Sequence, residues 1–267
     1  MKRMRYLFST IYIALLLCGS ALAQDDEAAL AKAAQNPVAD LISLPFQNNT
    51  NFNVGPNDKT QNILNIQPVA PFKLSVDWNL ITRTILPVIY QPELTPGYGR
   101  EFGLGDINTT LFLSPAKPGK FMWGAGPILS FPTASDRVLG TDKWSAGPAF
   151  VGLTMKGPWV LGFLANNLWS YAGRDDRPDV SQFLLQYFIN YNMPDGWYLT
   201  SAPIITANWK ADSGNKWTVP FGGGVGKIFR IGKQPMNAQV QAFYNVEKPD
   251  NGPDWTLRFQ LQFLFPK

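Results

Sequence analysis

Strict alternation of apolar and polar side chains in the last strand-like segment is the feature that most constrains the fold. Successive side chains of a β-strand point to opposite faces, so such a segment has one apolar and one polar face. The same pattern returns in residues 72–80 and 236–246. In residues 255–265 the apolar face holds Trp255, Leu257, Phe259, Leu261, Phe263 and Phe265, against Thr256, Arg258, Gln260 and Gln262.

The aromatic content of the apolar faces favours a membrane barrel over a soluble β-sandwich, whose strands also alternate. The opposite faces carry amides, whereas a water-facing sheet surface usually carries more charge. Ten steps along a strand, at about 3.3 Å each and a tilt near 40°, climb about 25 Å, the height of an outer-membrane apolar band. Aromatic residues recur at about this spacing in the pairs Phe121 and Phe131, Trp159 and Trp169, Trp197 and Trp209, and Trp255 and Phe265.

We therefore predict an all-β fold, a transmembrane antiparallel up-and-down β-barrel of about twelve strands in residues 46–267. The strands are expected to begin near residues 46, 61, 72, 102, 121, 145, 159, 182, 197, 217, 236 and 255. Short turns are predicted at residues 69–70, 114–120, 156–158, 193–196 and 231–235. Longer loops are predicted at residues 91–101, 132–143, 172–180, 211–215 and 247–254, and in such barrels the short turns are periplasmic.

The first 23 residues are typical of a secretory signal peptide, with a retained anchor as the alternative. Lys2, Arg3 and Arg5 precede an apolar run at residues 11–17, and residues 21–23 form an A-x-A cleavage pattern. The run is shorter than the ~20 residues that span a bilayer. Of the 23 basic residues three lie in the signal, which leaves 20 against 19 acidic residues in the mature chain. This balance gives no electrostatic case for a nucleic-acid partner.

Residues 24–45 are predicted to form a separate N-terminal segment. Acidic residues at 25–27 precede an alanine-rich stretch, which favours a short helix that ends at Pro37. The segment either folds back as a plug in the barrel lumen, with Asn36, Pro37 and Leu41 as candidate contacts, or remains a periplasmic leader. Both alternatives stay open at the level of sequence.

The polar faces of the predicted strands supply the candidate lumen-lining residues. Three are basic, two are acidic and ten are amides, so the lumen is expected to be near neutral and to suit uncharged or amphipathic solutes. Apolar inward positions such as Leu164, Leu168 and Ile204 indicate a narrow or plugged lumen. The candidates are Lys73, Asp77, Asn79, Arg83, Asp106, Asn108, Asn166, Gln186, Asn190, Asn208, Gln239, Gln241, Arg258, Gln260 and Gln262.

The chain contains no histidine, and its one cysteine, Cys18, lies in the predicted signal. This argues against Ser-His-Asp catalysis and against ordinary His/Cys metal sites. Asp77 and Asp106 could serve an aspartate-based protease, but we interpret them as pore-lining carboxylates. The glycine run at residues 222–226 lacks the Lys-Ser/Thr of a phosphate loop, so it indicates a barrel kink or space for a plug. We expect no enzyme activity, no cofactor and no metal.

Several stretches resemble bacterial outer-membrane proteins of the phenol-degradation MetA-pathway family. They are NPVADLISLPFQNN, GPNDKTQNILNIQPV and DWNLITRTILPVIYQP within residues 36–92, FGLGDINTTLFLSP at 102–115, GAGPILSFPTAS at 124–135 and LGTDKWSAGP at 139–148. The resemblance implies a transporter-like barrel in the bacterial outer membrane that takes up small hydrophobic or aromatic solutes. Its expected partners are those solutes, outer-membrane lipids and the barrel-assembly machinery, although Pro266 and Lys267 follow the aromatic Phe265 that such machinery would read.

Two functions from different classes follow from the sequence. The first is a passive channel or uptake protein for small hydrophobic or weakly polar molecules, with the N-terminal segment as its gate. The second is a non-conducting structural or surface-binding barrel, whose partners would contact loops such as residues 174–177.

Overall fold

A computed structural model of the chain describes residues 30–94 and 99–266. The predictions for the signal peptide, for its cleavage site and for the start of the alanine-rich helix lie outside the described residues, as does the loop tip at 95–98. No helix in the described part of the chain has the length and apolar character needed to cross a membrane.

The described residues form fifteen strand segments, all paired antiparallel in one sheet. They are β1 (Ile42–Val54), β2 (Lys59–Ile66), β3 (Val69–Lys73), β4 (Trp78–Gln91), β5 (Glu101–Leu104), β6 (Ile107–Pro115), β7 (Phe121–Phe131), β8 (Lys143–Lys156), β9 (Trp159–Gly173), β10 (Ser181–Asn192), β11 (Trp197–Ser201), β12 (Ile204–Asn208), β13 (Trp217–Ile231), β14 (Gln234–Glu247) and β15 (Trp255–Phe265).

Three pairs of segments are single strands with a short interruption, so the fifteen segments make twelve strands. β2 and β3 both pair with β1 and β4, β5 and β6 both pair with β4, and β11 and β12 both pair with β10 and β13. Two of the interruptions contain Pro68 and Pro203, which have no N–H to donate to a ladder. β15 pairs with β1 from Ile42↔Phe265 to Phe52↔Trp255 and closes the sheet. The prediction of an antiparallel barrel of about twelve strands is confirmed.

The outer face of the barrel carries a band of exposed apolar side chains between two rings of aromatic residues. Near the end with short turns, Trp159 packs against Tyr191 with ring centroids 4.8 Å apart. Near the opposite end, Phe52 stacks on Trp255 at 4.1 Å, and Trp209 contacts Trp217 edge to face at 5.3 Å. An apolar surface of this kind is stable against lipid and unstable against water, which supports the predicted bacterial outer-membrane location.

Short turns and long loops lie at opposite ends of the barrel as predicted, with one error. Residues 69–70 were expected to be a turn, but they belong to β3, and the chain turns instead at residues 74–77 between Lys73 and Trp78. The prediction failed because the apolar Leu74 and Val76 of this turn continue the alternation of the preceding strand. By the usual convention the short turns are periplasmic and the long loops extracellular.

The chain before β1 folds back against the inner wall at the periplasmic end. Residues 30–34 are helical, and β1 begins at Ile42 rather than at residue 46. Leu30, Ala31 and Leu41 pack against three inward-facing side chains of the wall, Tyr198, Ile228 and Leu264. Val38 joins a second buried cluster with Ile81, Phe112, Ile128, Ala149, Val151, Leu153, Val160, Leu164 and Phe188. We call residues 30–41 the N-terminal segment.

Candidate functional site

The extracellular half of the barrel encloses a cavity of about 260 Å³, which we call the upper cavity. Its walls combine amide side chains with apolar ones, and two residues of the extracellular loops, Thr141 and Val180, also line it. A mixed lining of this type suits a small solute with an apolar body and a polar group. The other lining residues are Gln47, Asn65, Gln67, Arg83, Ile85, Asp106, Asn108, Ile128, Ser130, Ser145, Asn166, Leu168, Gln182, Leu184, Gln186 and Ile204.

A second cavity, the lower cavity, has a volume of about 160 Å³ and lies between the barrel wall and the N-terminal segment. Residues 33–37 form one side of it, while Gln260 and Gln262 of β15 line the other. Four residues line both cavities and therefore mark the passage between them: Gln47, Gln67, Arg83 and Gln186. We call these four residues the neck.

Arg83 is the charged residue of the neck. It lies on β4 opposite Val69 and Thr110, and its Nη2 donates a hydrogen bond to Gln67 Oε1 at 2.7 Å. Within residues 30–94 and 99–266, Arg83 forms no ion pair. A guanidinium has five N–H donors and stays protonated, so most of the donors of Arg83 have no partner among the described residues.

Arg258 has a different role, because its guanidinium is occupied by the wall itself. Its Nε donates to Asn49 Oδ1 at 2.9 Å, its Nη1 donates to the Ala202 carbonyl at 2.8 Å, and the group lies 4.8 Å from the Phe243 ring centroid. Gln241 Oε1 accepts the Ala202 N–H at 3.1 Å. Together these side chains satisfy the backbone where the strand formed by β11 and β12 is interrupted.

Asp106 ties an extracellular loop to the wall. It follows Gly105 in the interruption between β5 and β6, and its carboxylate accepts hydrogen bonds from Thr141 N at 2.6 Å, Thr141 Oγ1 at 2.7 Å and Ala134 N at 3.2 Å. Arg177 adds a second tie, since its Nη2 donates to the carbonyls of Arg137 and Gly140. The loops at residues 132–142 and 174–180 are thus held over the upper cavity.

Two predicted lumen residues, Lys73 and Asp77, lie elsewhere. Both are exposed at the periplasmic turn, because the chain turns at residues 74–77 where the sequence pattern suggested a continuous strand. Because one is basic and the other acidic, their removal leaves the net charge of the candidate set unchanged. Asp106 keeps its charge while its oxygens accept hydrogen bonds from the loop, and among the described residues it forms no ion pair with Arg83.

The remaining candidates are spread over the height of the barrel. Asn108 and Asn166 line the upper cavity, and Asn108 Oδ1 is buried with no hydrogen-bond partner in the described part of the chain. Asn79 lines a separate cavity of about 490 Å³ at the periplasmic mouth. Asn208 is exposed at the opposite rim. The others lie in the neck or the inner wall: Gln186, Asn190, Gln239, Gln241, Gln260 and Gln262.

Two residues of the neck, Gln47 and Gln67, were not among the predicted lumen residues. Gln47 shares a polar face with Asn49 and Asn51 on β1, a pattern that alternation could have revealed. Gln67 lies in the interruption before Pro68, where alternation gives no signal. Its N–H donates to the Pro45 carbonyl at 2.8 Å, which positions the side chain beside Arg83.

The plug candidates all belong to the N-terminal segment. Asn36 donates from Nδ2 to Met122 Sδ at 3.4 Å and accepts the Val38 N–H at 3.0 Å, while Pro37 lines the lower cavity. Leu41 is buried in the cluster described above. Gln35 and Asn192 of β10 exchange side-chain hydrogen bonds at 2.9 and 3.2 Å.

Glycines provide the space for this packing. A Cβ at Gly124 would lie 3.0 Å from Val38 Cγ1 of the N-terminal segment, and a Cβ at Gly226 would overlap the Tyr198 ring. The run at residues 222–226 was expected to form a barrel kink or to leave space for a plug. Gly226 leaves space for Tyr198, a wall residue that packs against the N-terminal segment. Among the described residues, no group of three His, Cys, Asp or Glu side chains is placed to hold a metal ion.

No protein-family model matches the chain, and no curated protein matches it in sequence. Its fold is similar to that of the COG4313 outer membrane channel from Pseudomonas putida F1, with a TM-score of 0.65 and 17% identity over 84% of this chain and 95% of that one. A weaker similarity, with a TM-score of 0.45 and 8% identity, is to the CymD monoaromatic hydrocarbon channel, over 90% of this chain and 91% of that one. The first of these similarities supports the barrel fold.

The comparisons overturn the prediction that the chain is not an enzyme. Outer membrane phospholipase A from Escherichia coli is also similar, with a TM-score of 0.43 and 15% identity over 88% of this chain and 97% of that one. Since barrels of this general shape include an enzyme, the architecture gives no ground for excluding enzymatic activity. What the comparisons establish is that the chain has the fold of a bacterial outer-membrane β-barrel.

Proposed function

We propose that the protein is a passive outer-membrane channel for small hydrophobic or weakly polar molecules, related to the phenol-degradation MetA-pathway family. One observation carries the proposal. Two interior cavities meet at the neck, and the N-terminal segment lies between the lower cavity and the periplasm. This segment is joined to the wall by apolar side-chain packing and by the hydrogen bonds of Gln35 and Asn36.

The lining supports solutes of modest polarity. Ile85, Ile128 and Leu184 offer apolar surface to a ring or a short chain, and amide side chains offer hydrogen bonds to a single polar group. The similarity in fold to an outer membrane channel from Pseudomonas putida F1 agrees with this function. In our proposal a solute enters the upper cavity from outside, passes the neck, and leaves when the N-terminal segment shifts.

The N-terminal segment is proposed to be the gate, and this is tested by deletion. The shortened chain lacks residues 24–40 and therefore keeps all of β1, which pairs with β15 from Ile42 onwards. We expect single-channel conductance in planar bilayers and uptake of a neutral solute, benzamide, by proteoliposomes to rise several-fold on deletion. Equal conductance of both folded proteins would contradict the gating role.

A reversible tether provides a sharper second test. Cysteines placed at Gln35 and Asn192, whose side chains are hydrogen bonded, can be joined by a short bis-methanethiosulfonate reagent. This reagent forms a disulfide with each thiol, releases methanesulfinate, and is cleaved by reduction. The mature chain has no cysteine of its own if the signal is removed, so the reaction is specific. We expect benzamide uptake to fall on cross-linking and to recover on reduction. The matched control has the cysteine at Gln35 alone.

The non-conducting barrel is the alternative that these experiments separate. Absence of both conductance and benzamide uptake from the full mature chain, the deletion variant and the untethered variant would contradict the channel. Heat-modifiable migration in gels would show that each protein is folded. A surface-binding role through the extracellular loops would then account better for the fold.

A further inference from the structure

We propose that the neck is a binding site for a small organic carboxylate, so that the preferred solutes are single-ring or similarly compact acids. The inference rests on the proposed channel function and specifies the substrate class of the same interior. It is carried by the position of Arg83 between the two cavities and by the absence of an internal counterion among the described residues.

Arg83 has unused donors where a solute would pass. One hydrogen bond, to Gln67, is made by its guanidinium within the described residues. The planar fork of a guanidinium matches a carboxylate through two parallel hydrogen bonds, a match that an ammonium group does not offer. A charge held away from bulk water is destabilising unless it is paired, which favours an anion at this point.

The protein supplies no carboxylate for that pairing. Asp106 lines the same upper cavity, but its oxygens accept hydrogen bonds from Thr141 and Ala134 and it forms no ion pair with Arg83. Asp77, the other acidic lumen candidate, lies with Lys73 at the periplasmic turn and not in the neck. Arg258, the other inner-wall arginine described above, is bound to Asn49 and to the Ala202 carbonyl.

The rest of the cavity defines the body of the solute. Gln47 and Gln186 line the neck together with Arg83 and carry amide groups, whereas Ile85, Leu184 and Ile204 add apolar surface to the upper cavity. The volume of about 260 Å³ lies below the range of roughly 300–1,000 Å³ that is usual for drug-sized ligands. A compact acid such as benzoate fits this combination of size, charge and apolar surface.

Equilibrium binding to the refolded mature protein in detergent micelles tests the site directly. The probes are benzoate, its neutral isostere benzamide and the cation benzylammonium, measured by isothermal titration. We expect benzoate to bind most tightly. Replacement of Arg83 by glutamine should weaken benzoate binding about tenfold to a hundredfold, as expected for charge-assisted hydrogen bonds, and leave benzamide unchanged. Arg83→Lys should recover only part of the benzoate affinity.

Lys227→Gln is the matched control, since it removes the same charge from the outer face. Its ammonium group lies 4.7 Å from the Trp197 ring centroid, away from the lumen. We expect this variant to bind benzoate like the original protein. A benzoate affinity equal to that of benzamide, or equal losses in Arg83→Gln and Lys227→Gln, would overturn the proposal, provided that heat-modifiable migration shows folded barrels.

Uptake by proteoliposomes distinguishes failure of the site from failure of the channel. Passage of benzamide with no preference for benzoate, and no effect of Arg83→Gln, would overturn the carboxylate site and leave the channel intact. Specific benzoate binding that needs Arg83, without passage of either solute, would support the site and contradict the channel.

Discussion

The two halves of the barrel interior are closed by different interactions. At the periplasmic end the N-terminal segment packs apolar side chains against Tyr198, Ile228 and Leu264. At the extracellular end, loops are tied over a cavity by carboxylates and guanidinium groups, as in the contacts of Asp106 with Thr141. Apolar packing is non-directional and depends on shape and area, whereas the polar ties depend on charge state and on single atoms.

This difference indicates where a solute would be held and where it would be released. A segment held mainly by apolar contacts can leave the wall and expose a polar interior when its packing is loosened. Loops held by hydrogen bonds to one carboxylate instead keep the shape of the upper cavity. The comparison predicts that the periplasmic half responds to changes in volume and that the extracellular half responds to changes in charge.

Shortening Ile228 should have the largest effect on stability. Its side chain is fully buried between the wall and the N-terminal segment. Ile228→Ala should lower the free energy of unfolding by about 2–5 kcal/mol, because a cavity is left in a packed interior. The measurement is urea-induced unfolding in lipid vesicles. Ile231→Ala, on the outer face where the side chain is 64% exposed, is the control and should cost much less. Equal losses of unfolding free energy in Ile228→Ala and Ile231→Ala would contradict close packing in the periplasmic half.

Removal of one buried hydroxyl should have the next largest effect. Tyr198 donates from its hydroxyl to Asn237 Oδ1 at 2.6 Å, and Asn237 donates in turn to Gln262 at 3.1 Å. Tyr198→Phe keeps the ring and leaves the Asn237 acceptor without this partner, which should cost about 1–3 kcal/mol of unfolding free energy. Tyr191→Phe, on the outer face, is the matched control in the same assay. An unchanged stability of Tyr198→Phe would show that water replaces the hydroxyl.

The wall was predictable from the sequence because lipid imposes a simple rule on it. Each strand must place apolar residues outward, so alternation in segments such as β15 reports the barrel directly. The rule failed at residues 74–77, where Leu74 and Val76 are apolar although they lie in a turn. The lumen face has no comparable rule, since both amides and apolar residues are compatible with a closed interior.

The candidate site was only partly predictable for the same reason. The alternation of side chains identified Arg83 as inward-facing. It could not show that its neighbour Gln67 lies in a strand interruption, or that the carboxylate of Asp106 accepts hydrogen bonds from a loop. Those contacts join residues that are 16 and 35 positions apart in the chain. They depend on how the interruptions and the loops fold over the lumen, and the alternation pattern holds no information about that.

Asp106→Asn should open the extracellular loops with a smaller effect on the barrel. The amide keeps the shape of the carboxylate but loses one of the two acceptor oxygens used by Thr141 and Ala134. We expect faster trypsin cleavage after Arg137, which is exposed in the tied loop, by several-fold. Asp136→Asn is the control, because within residues 30–94 and 99–266 its carboxylate accepts one hydrogen bond, from the local Val138 N–H. Equal cleavage rates in Asp106→Asn and Asp136→Asn would show that the hydrogen bonds of Asp106 do not hold the loop.

A change in pH should have the smallest effect, confined to the loop surface. Hydrogen bonds from Arg174 and Arg137 hold the pKa of the exposed Asp176 carboxyl well below its usual range. Because the folded-state pKa is depressed, this contribution is present above the ordinary aspartate pKa of about 3.9 and is lost as the pH falls through the lower folded value.

Carboxyl ¹³C NMR in micelles, with Asp176→Asn for assignment, should give a titration midpoint for Asp176 below about 3.9 at low salt. The midpoint should move toward that value in about 1 M salt, since exposed charges are screened. Unfolding of the barrel in urea should be the same for Asp176→Asn and the original protein. A titration midpoint at the ordinary aspartate value would contradict the loop contacts of Asp176. A lower unfolding free energy for Asp176→Asn would show that the polar contacts of the extracellular loops also stabilise the barrel wall, contrary to the comparison of the two halves.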